Sequence, residues 1–380
     1  MKRFRLSRSP VCLAAALLGA LCILTGWQMP PQIELRVPFE PTAYPSGGRT
    51  LLTYELYLTN FSGSTMDLRR IEVLDADEPD GKPVASFEGE QIDPMLQNAG
   101  GQTSAEKSSP RALNPGTTVV VYMQVSFDAN ARVPNKLKHR VFTGDDSAEG
   151  AVAGTHRTKL KVLLPPVRGA NWHASDGPSN DRDNHHRRGL LLLDGRPSIS
   201  RRYATDWFLT NGKIYKWREG DAHEKSSYFS YGQPVYAVAS GTVVLARDGM
   251  PDNFPGPVED FRVAGPLTLE TASGNIVVVD LGDGKFAHYC HLQPGSLRVR
   301  TGDRVRGGSV LALIGVSGDP NVPHLHFEVT TSAKPLVGEG VPFVFDQFRV
   351  QTTDGLSKTL THELPSRNML VDFGKAEGRR

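Results

Sequence analysis

The segment His324-Leu325-His326-Phe327-Glu328 combines residue types and a spacing that suit metal binding or acid–base chemistry. On a β-strand, side chains alternate with a period of two, so both imidazoles and the carboxylate would share one face of a sheet. Zinc is commonly bound by histidine nitrogens and carboxylate oxygens, and catalytic zinc sites keep one position open for water. The spacing therefore predicts a metal site, or a metal ligand next to a base.

Further short motifs precede this segment and give it a context. They are Gly232-Gln233-Pro234-Val235-Tyr236-Ala237, Gly241-Thr242-Val243-Val244, Gly274-Asn275, Tyr289-Cys290-His291-Leu292, Gly302-Asp303-Arg304-Val305 and Gly315-Val316-Ser317-Gly318. In this order, and over roughly residues 185–330, the motifs resemble those of the LytM/lysostaphin-type zinc metallopeptidases. The resemblance implies a compact antiparallel β core with a groove, and cleavage of peptide bonds in bacterial peptidoglycan.

The resemblance also implies roles for individual residues. Asp206 and His326 would be ligands of one zinc ion (Zn²⁺) per chain. His291 and His324 would be the two catalytic histidines outside the ligand set, which position or deprotonate the water and stabilise the oxyanion. In this chemistry zinc lowers the pKa of bound water towards about 7, and a nearby imidazole moves the proton.

The first zinc ligand of the family pattern is missing from its usual place. The pattern has a histidine four residues before the aspartate, and this chain has Arg202 there. A guanidinium group is always protonated and cannot bind zinc. Either another residue supplies the ligand or the site is inactive.

The run His185-His186 offers a replacement ligand. If Asp194-Gly195 form a two-residue hairpin turn, Asp206 opposes Asp183 and shares a face with His185, whereas a three-residue turn brings His186 to that face. Family members with a His-Arg-Arg stretch before an Arg-Tyr/Phe-Ala-x-Asp-Trp segment are similar to this chain, which favours His186. His185 remains the alternative.

Cys290 directly precedes His291 and raises the question of a thiol nucleophile. Because neighbours on a strand point to opposite faces, we interpret Cys290 as a small buried side chain and place His288 away from the site. Glu328 is expected either to orient an imidazole of the site or to face solvent. His223 lies in a polar segment and is expected to be exposed.

The elements that position these residues are predicted to be almost entirely β-strands. Residues 31–165 alternate apolar and polar side chains in short runs separated by turn-forming residues, which indicates an immunoglobulin-like β-sandwich accessory domain. Residues 170–345 are predicted to form the lysostaphin-type metallopeptidase domain with its antiparallel β-sheet core. Residues 346–380 are predicted to be a C-terminal extension.

The N-terminus is typical of a targeting segment. Residues 1–30 have a basic start followed by an uncharged apolar run at Val11–Thr25, of about 15 residues, which suits a signal peptide better than a membrane span. A retained anchor is the alternative, and it would be the chain's one contact with a membrane. The sequence therefore predicts an exported protein of the periplasm or cell envelope, either secreted or anchored by this segment.

The charge balance argues against nucleic acid as a partner. The chain has 43 Lys plus Arg and 41 Asp plus Glu, and four of the bases fall in the first ten residues, which leaves 39 against 41. No basic surface is expected to remain for a phosphate backbone. The predicted partner is peptidoglycan or another peptide substrate.

Two functions follow from these observations. The first is an exported zinc metalloendopeptidase that hydrolyses peptidoglycan peptides. The alternative is a catalytically inactive family member that binds cell wall or a partner protein and regulates another hydrolase. Arg202 is the main support for the alternative.

Overall fold

The structure is a computed structural model that describes residues 30–78, 80–99, 109–351 and 357–374. The predicted signal peptide or anchor therefore lies outside the described residues, apart from its last residue. In the described ranges, helical turns are short 3-10 segments at Gly89–Gln91, Asp93–Met95, Ser200–Tyr203 and Lys225–Ser227. No helix in these ranges is long and apolar enough to cross a membrane. The predicted all-β fold class is confirmed.

Two sheets in the N-terminal half enclose a common apolar core. Their strands are β1 (Ile33–Arg36), β2 (Tyr44–Ser46), β3 (Arg49–Asn60), β4 (Met66–Asp75), β5 (Ala85–Glu88), β6 (Leu96–Asn98), β7 (Ala112–Leu113), β8 (Thr118–Asp128), β9 (Lys136–Thr143) and β10 (Asp146–Gly154). One sheet has the order β1-β3-β8-β6 with β2 on β3, and the other has the order β10-β9-β4-β5 with β7 on β4. Leu56 and Val121 of the first sheet share the core with Ile71 and Val141 of the second. This is the arrangement of a β-sandwich, and we call it the sandwich.

A larger sheet and two separate two-stranded sheets follow in the C-terminal half. The strands are β11 (Lys161–Leu163), β12 (Trp172–Ser175), β13 (Leu191–Leu193), β14 (Arg196–Ser198), β15 (Thr205–Leu209), β16 (Pro234–Tyr236), β17 (Gly241–Arg247), β18 (Asn275–Asp280), β19 (Phe286–Leu292), β20 (Arg304–Val305), β21 (Val310–Leu313), β22 (Leu325–Thr330), β23 (Phe343–Gln351), β24 (Ser357–Glu363) and β25 (Met369–Asp372). The large sheet has the order β11-β23-β25-β12-β15-β22-β19-β18-β17-β20, with β24 on β23. Its pairs are antiparallel except β11 with β23, which is parallel.

The two faces of the large sheet differ in chemistry. Trp207, Tyr289 and Phe327 point from three adjacent strands into the main apolar core. Because side chains alternate along a strand, Asp206 and His326 lie on the opposite face. The apolar face packs into the core, and the polar face carries the candidate site.

The segment predicted to be a C-terminal extension contributes strands to this sheet. β23 and β25 lie between β11 and β12, and β24 pairs with β23. Residue 345, where the predicted peptidase domain ends, falls inside β23. The division of the chain into domains remains a prediction.

The Asp194-Gly195 turn forms as predicted, but it does not position Asp206. Both turn residues have positive φ (49° and 73°), and Leu191 pairs with Ser198 across the two-residue turn. The chain then enters the 3-10 turn Ser200–Tyr203, and β15 pairs with β12 and β22 instead. The prediction that Asp206 opposes Asp183 is therefore wrong, because the 3-10 turn interrupts the strand on which it was based.

Candidate metal centre

Strand register brings Asp206 and His326 together. Asp206 of β15 is paired directly with Ser175 of β12 on one side and with His326 of β22 on the other. Directly opposed residues of an antiparallel pair lie on the same face with their Cβ atoms about 5 Å apart. His326 Nδ1 is 2.9 Å from Asp206 Oδ1 and donates a hydrogen bond to it.

Two other buried histidines approach the same oxygen atom. His324 Nε2 is 3.3 Å from Asp206 Oδ1, and His186 Nε2 is 3.4 Å from it. Burial disfavours the charged carboxylate, but the imidazoles of His324 and His186 outweigh this effect and hold the pKa of Asp206 well below its usual value. Asp206 is thus a buried anion surrounded by histidine nitrogens.

His186 has the geometry of a metal ligand. It lies in a turn at residues 185–188, and its Nδ1 atom donates a hydrogen bond of 2.9 Å to the backbone oxygen of Asp176. Because a carbonyl oxygen only accepts, the proton is on Nδ1, and burial lowers the pKa of His186. Nε2 therefore carries the lone pair, and it is buried without a hydrogen-bond partner among the described residues.

His185, the alternative ligand, also reaches Asp206. Its Nε2 atom is 3.8 Å from Oδ2, and its Nδ1 atom is 3.4 Å from Asp176 Oδ2. His185, His186 and Asp206 each offer one ligand atom within 4.8 Å of the others. The side chain of His185 is 56% exposed, however, whereas that of His186 is 1% exposed. Both histidines that the sequence offered as the replacement ligand therefore lie next to the Asp206 carboxylate.

Glu328 lies behind His326 and is buried rather than exposed at the strand end. Its Oε2 atom is 3.7 Å from His326 Nε2. Burial lowers the pKa of His326, but hydrogen bonding to Asp206 and Glu328 outweighs burial and raises it to about 9. The ring of His326 is therefore held between two carboxylates.

His291 reaches the site through an irregularity in its strand. Its φ is 64°, and the pairing of β18 with β19 shifts register between Asn275 and Val277. Nδ1 of His291 donates a 3.0 Å hydrogen bond to Ser317 O, and its ring centroid is 5.1 Å from that of His324. Burial lowers the pKa of His291 to about 3. The four histidines His186, His291, His324 and His326 all lie around one carboxylate.

Strand alternation predicted the wrong face of the sheet for Cys290 and His288, although neither side chain lines the cleft. Cys290 pairs directly with His326, and His288 pairs with Glu328, so both lie on the site's face of the sheet. Regular alternation fails because His291 adopts a left-handed conformation. Cys290 is nevertheless buried beside Ile276 and Val278, as expected for a small apolar side chain. His288 Nε2 donates a hydrogen bond to Ser332 O and lies 3.1 Å from Thr330 Oγ1, and the side chain does not line the cleft.

A cleft of about 650 Å³ opens over the centre. Asp206, His291, His324 and His326 line it. Its other lining residues include Asp176, Arg201, Phe208, Trp217, Tyr228, Phe261 and Asp319. His223 is 57% exposed and contacts Asp221, in agreement with its expected exposure.

Two residues that orient histidines were not predicted from the sequence. Asp176 and Ser317 hold His186 and His291 through backbone carbonyl oxygens. Every residue type has a carbonyl oxygen, so residue type carries no signal for this role. Ser317 does fall in one of the ordered motifs, but its contact with His291 depends on the fold.

Arg202 is directed away from the centre. Its guanidinium group donates hydrogen bonds to Glu55 of the sandwich and to Glu339. Burial opposes its charge, but these carboxylates raise the pKa of Arg202 above its usual value. The residue that replaces the family's first ligand therefore has a different role, in a buried ion-pair network.

Residues 227–337 match peptidase family M23. The matched range makes up less than a third of the chain. The matched range contains His291, His324 and His326, and it begins after Asp206 and the two candidate first ligands. The match confirms the resemblance that the ordered motifs indicated.

The match to an individual relative also covers only part of the molecule. The chain is 30% identical over 105 residues to peptidoglycan DD-endopeptidase ShyA of Vibrio cholerae serotype O1, a match that covers 28% of this chain and 19% of ShyA. The matched part thus spans about a fifth of the length of that relative.

Solved structures with low similarity include the catalytic domain of lysostaphin from Staphylococcus simulans. It is 21% identical with a TM-score of 0.23, and the match covers 42% of this chain and 80% of that chain. A putative peptidase M23 from Pseudomonas aeruginosa is 17% identical with a TM-score of 0.22, covering 70% of this chain and 86% of that chain. At these scores neither structure bears on the roles of individual residues.

Proposed function

We propose that this protein is an exported zinc metalloendopeptidase that hydrolyses peptide bonds of cell-wall peptidoglycan. The observation that carries the proposal is the surroundings of Asp206, whose Oδ1 atom has nitrogen atoms of three buried histidines within 3.4 Å. The match to peptidase family M23 supports the reaction class. The named substrate of ShyA supports peptidoglycan over a peptide outside the wall.

The donor set fits zinc. His186 Nε2 is buried and lacks a hydrogen-bond partner among the described residues, which is costly unless another group binds it. Imidazole and carboxylate are ligands that zinc prefers, and three protein ligands are usual in catalytic sites. We assign His186, Asp206 and His326 as the ligands, and His185 as the alternative to His186 that the exposure of its ring disfavours.

A bound zinc ion would supply a Lewis acid that polarises the scissile carbonyl and lowers the pKa of water. The chain supplies the orientation of the ligands. Asp176 O fixes the proton of His186 on Nδ1, and Glu328 faces Nε2 of His326. Such partners of metal-binding histidines set the tautomer and the direction of the ring.

His291 and His324 are left for proton transfer. Both donate Nδ1–H to backbone carbonyl oxygens, those of Ser317 and Val322, so Nε2 carries the lone pair in each neutral ring. Burial lowers the pKa of His291, so the ring is neutral and its Nε2 lone pair is available to accept a proton from water. Burial opposes charge on His324 as well, but Asp206 outweighs it and raises the pKa, which suits His324 to donate to a developing oxyanion.

The test is digestion of purified peptidoglycan, with release of soluble fragments as the readout. A chelator is expected to stop release and zinc to restore it. His291→Ala and His324→Ala are each expected to lower the rate by roughly 10²–10⁴-fold. His223→Ala is the matched control, because this exposed histidine lies outside the ligand set. Equal rates for wild type and His291→Ala would overturn the proposal.

A second candidate function is cell-wall binding without hydrolysis. Arg202 favours it, because the family's first ligand position is occupied by a cation that bonds to Glu55 and Glu339. Such a protein would sediment with peptidoglycan, hold no zinc and bind equally well after His326→Ala. The endopeptidase would hold zinc and lose it in that variant.

The proposal places the protein in the periplasm or cell envelope. The apolar segment within residues 1–30 supports export as a signal peptide or anchor. We further propose residues 31–165 as an accessory domain and residues 170–345 as the peptidase domain. An accessory sandwich and an exported peptidase suit a substrate that lies outside the cytoplasm.

A further inference from the structure

The run His185-His186-Arg187-Arg188 contacts two parts of the molecule. We call residues 185–188 the His-Arg turn. Its two histidines lie at Asp206, whereas its two arginines bind the sandwich. A four-residue turn thus connects the candidate metal centre to the sandwich.

Arg187 is the deeper of the two attachments. Its guanidinium group is 1% exposed and forms an ion pair with Glu55 of β3. It also donates 3.3 Å hydrogen bonds to the backbone oxygens of Tyr54 and Met123, on β3 and β8. Charge-assisted hydrogen bonds to several acceptors hold a guanidinium group in one position and orientation.

Arg188 is a second attachment nearer the surface. It donates hydrogen bonds to the backbone oxygens of Pro94 and Leu96 in the sandwich. Its guanidinium carbon lies 4.3 Å from the centre of the Tyr122 ring, and that of Arg187 lies 5.2 Å from the same ring. One aromatic side chain of β8 therefore contacts both arginines.

Glu55 is the centre of the network. It is 1% exposed, and Arg202 binds it from the 3-10 turn before β15 while Arg187 binds it from the His-Arg turn. Burial raises the pKa of Glu55, but the two guanidinium groups outweigh burial and lower it. The two ion pairs therefore join the sandwich to both segments. Removing one partner of a buried ion pair is strongly destabilising, so these contacts are expected to hold the segments in place.

His186 and Arg187 are adjacent, so the position of one restricts the other. The backbone N–H of Arg187 also donates a 3.1 Å hydrogen bond to Asn184 Oδ1, which closes the turn. Asp176 O holds the ring of His186 from the other side. A shift of the arginine would move the imidazole relative to Asp206, and ligand geometry tolerates only small shifts.

We propose that the sandwich positions the first metal ligand, and that Arg187 acts on metal binding through Glu55 as a positioning residue for His186. The inference rests on the proposed function, because it requires that His186 bind the metal. On this proposal the sandwich helps to hold His186 in the position that metal binding requires. By linkage, metal binding would in turn stabilise the docking of the sandwich.

The experiment measures the zinc dissociation constant of the full chain at pH 7, by competition with a fluorescent chelator. Arg187→Met is the main variant, because it leaves Glu55 paired with Arg202. Val73→Ala is the stability control, since Val73 is buried in the sandwich core and takes no part in the His-Arg turn. Arg188→Met tests the second attachment and serves if Arg187→Met does not fold. The visible spectrum of bound Co²⁺ reports the ligand geometry in each variant.

We expect Arg187→Met to raise the zinc dissociation constant by about 10-fold or more, as loss of a ligand's supporting contact does, and to change the Co²⁺ spectrum. Arg188→Met should act in the same direction. Val73→Ala should lower the melting temperature and leave zinc affinity unchanged. Wild-type zinc affinity in the folded arginine variants would overturn the inference. If wild type itself bound no zinc, the proposed function would fail first, which is a separate outcome.

Discussion

Asp206 is the residue around which the candidate site is built. Burying a carboxylate is costly unless charges or hydrogen bonds compensate it, and here the imidazole groups of three histidines from two segments do so. Strand alternation predicted the shared face of His326 and Glu328 from their spacing alone. The approach of His186 was not predictable from a strand pattern, because it comes from a turn whose place is set by contacts with the sandwich.

Cys290 is not expected to take part in the reaction. Burial raises the pKa of its thiol, so it stays protonated and cannot act as a thiolate nucleophile at neutral pH. Cys290→Ala is expected to keep its zinc and to digest peptidoglycan at close to the wild-type rate. Parallel measurement of zinc content and digestion checks this. A loss comparable to that of His291→Ala would assign the thiol a part in the reaction.

The irregularity in β19 determines how His291 reaches the candidate site. Alternation along an ideal strand would place Cys290 and His291 on opposite faces, yet the left-handed φ of His291 brings its ring to the site. A sequence pattern of period two cannot reveal such an irregularity, because no residue type is required for it at His291. The strands themselves were predictable, since their apolar residues alternate along most of their length.

Gly274 tests how the loops beside β19 hold His291. Its φ is 62°, and an added Cβ would lie 2.1 Å from Ser317 O, the acceptor of the His291 hydrogen bond. Gly274→Ala is expected to destabilise the fold by more than about 1–2 kcal/mol and to slow digestion, because Ser317 must move. Urea unfolding and the digestion rate are the measurements.

Gly284→Ala is the control for Gly274→Ala. Gly284 has nearly the same φ of 63°, but an added Cβ would meet nothing within 4 Å. It should cost only about 1–2 kcal/mol of conformational strain and leave digestion unchanged. Equal effects of the two substitutions would show that steric contact with Ser317 is irrelevant.

In the molecule as a whole, a buried ion-pair network joins the sandwich to the His-Arg turn and to the 3-10 turn before β15. Glu55 and Arg187 are 132 residues apart in the chain. The sequence indicated two β-rich units and an arginine in place of a zinc ligand, but it gave no sign of their connection. Long-range pairing of charges depends on how two sheets pack, and neither periodicity nor spacing records that packing.

Glu55→Gln tests this network through its pH dependence. The pKa of Glu55 is lowered in the folded state, so its contribution to stability is complete above about pH 4.5 and is lost as the pH falls through the folded pKa. At pH 7 the substitution is expected to lower the free energy of unfolding by about 3–5 kcal/mol. The difference from wild type should shrink below about pH 4.5. Urea titrations at several pH values measure it.

Glu149→Gln is the matched control in the sandwich. Glu149 pairs with Lys138 and Arg140 at a partly exposed site, so its loss should cost no more than about 1 kcal/mol. Similar losses for both variants, or a Glu55→Gln difference independent of pH, would contradict the buried network.

The central claim is that His186 replaces the family's first zinc ligand beside Asp206 and His326. The most direct measurement is the metal content of purified wild type, His185→Ala and His186→Ala by elemental analysis. We predict about one zinc per chain in wild type and in His185→Ala, and essentially none in His186→Ala. Zinc retained by His186→Ala and lost by His185→Ala, or a wild type that binds no zinc near neutral pH, would contradict the account.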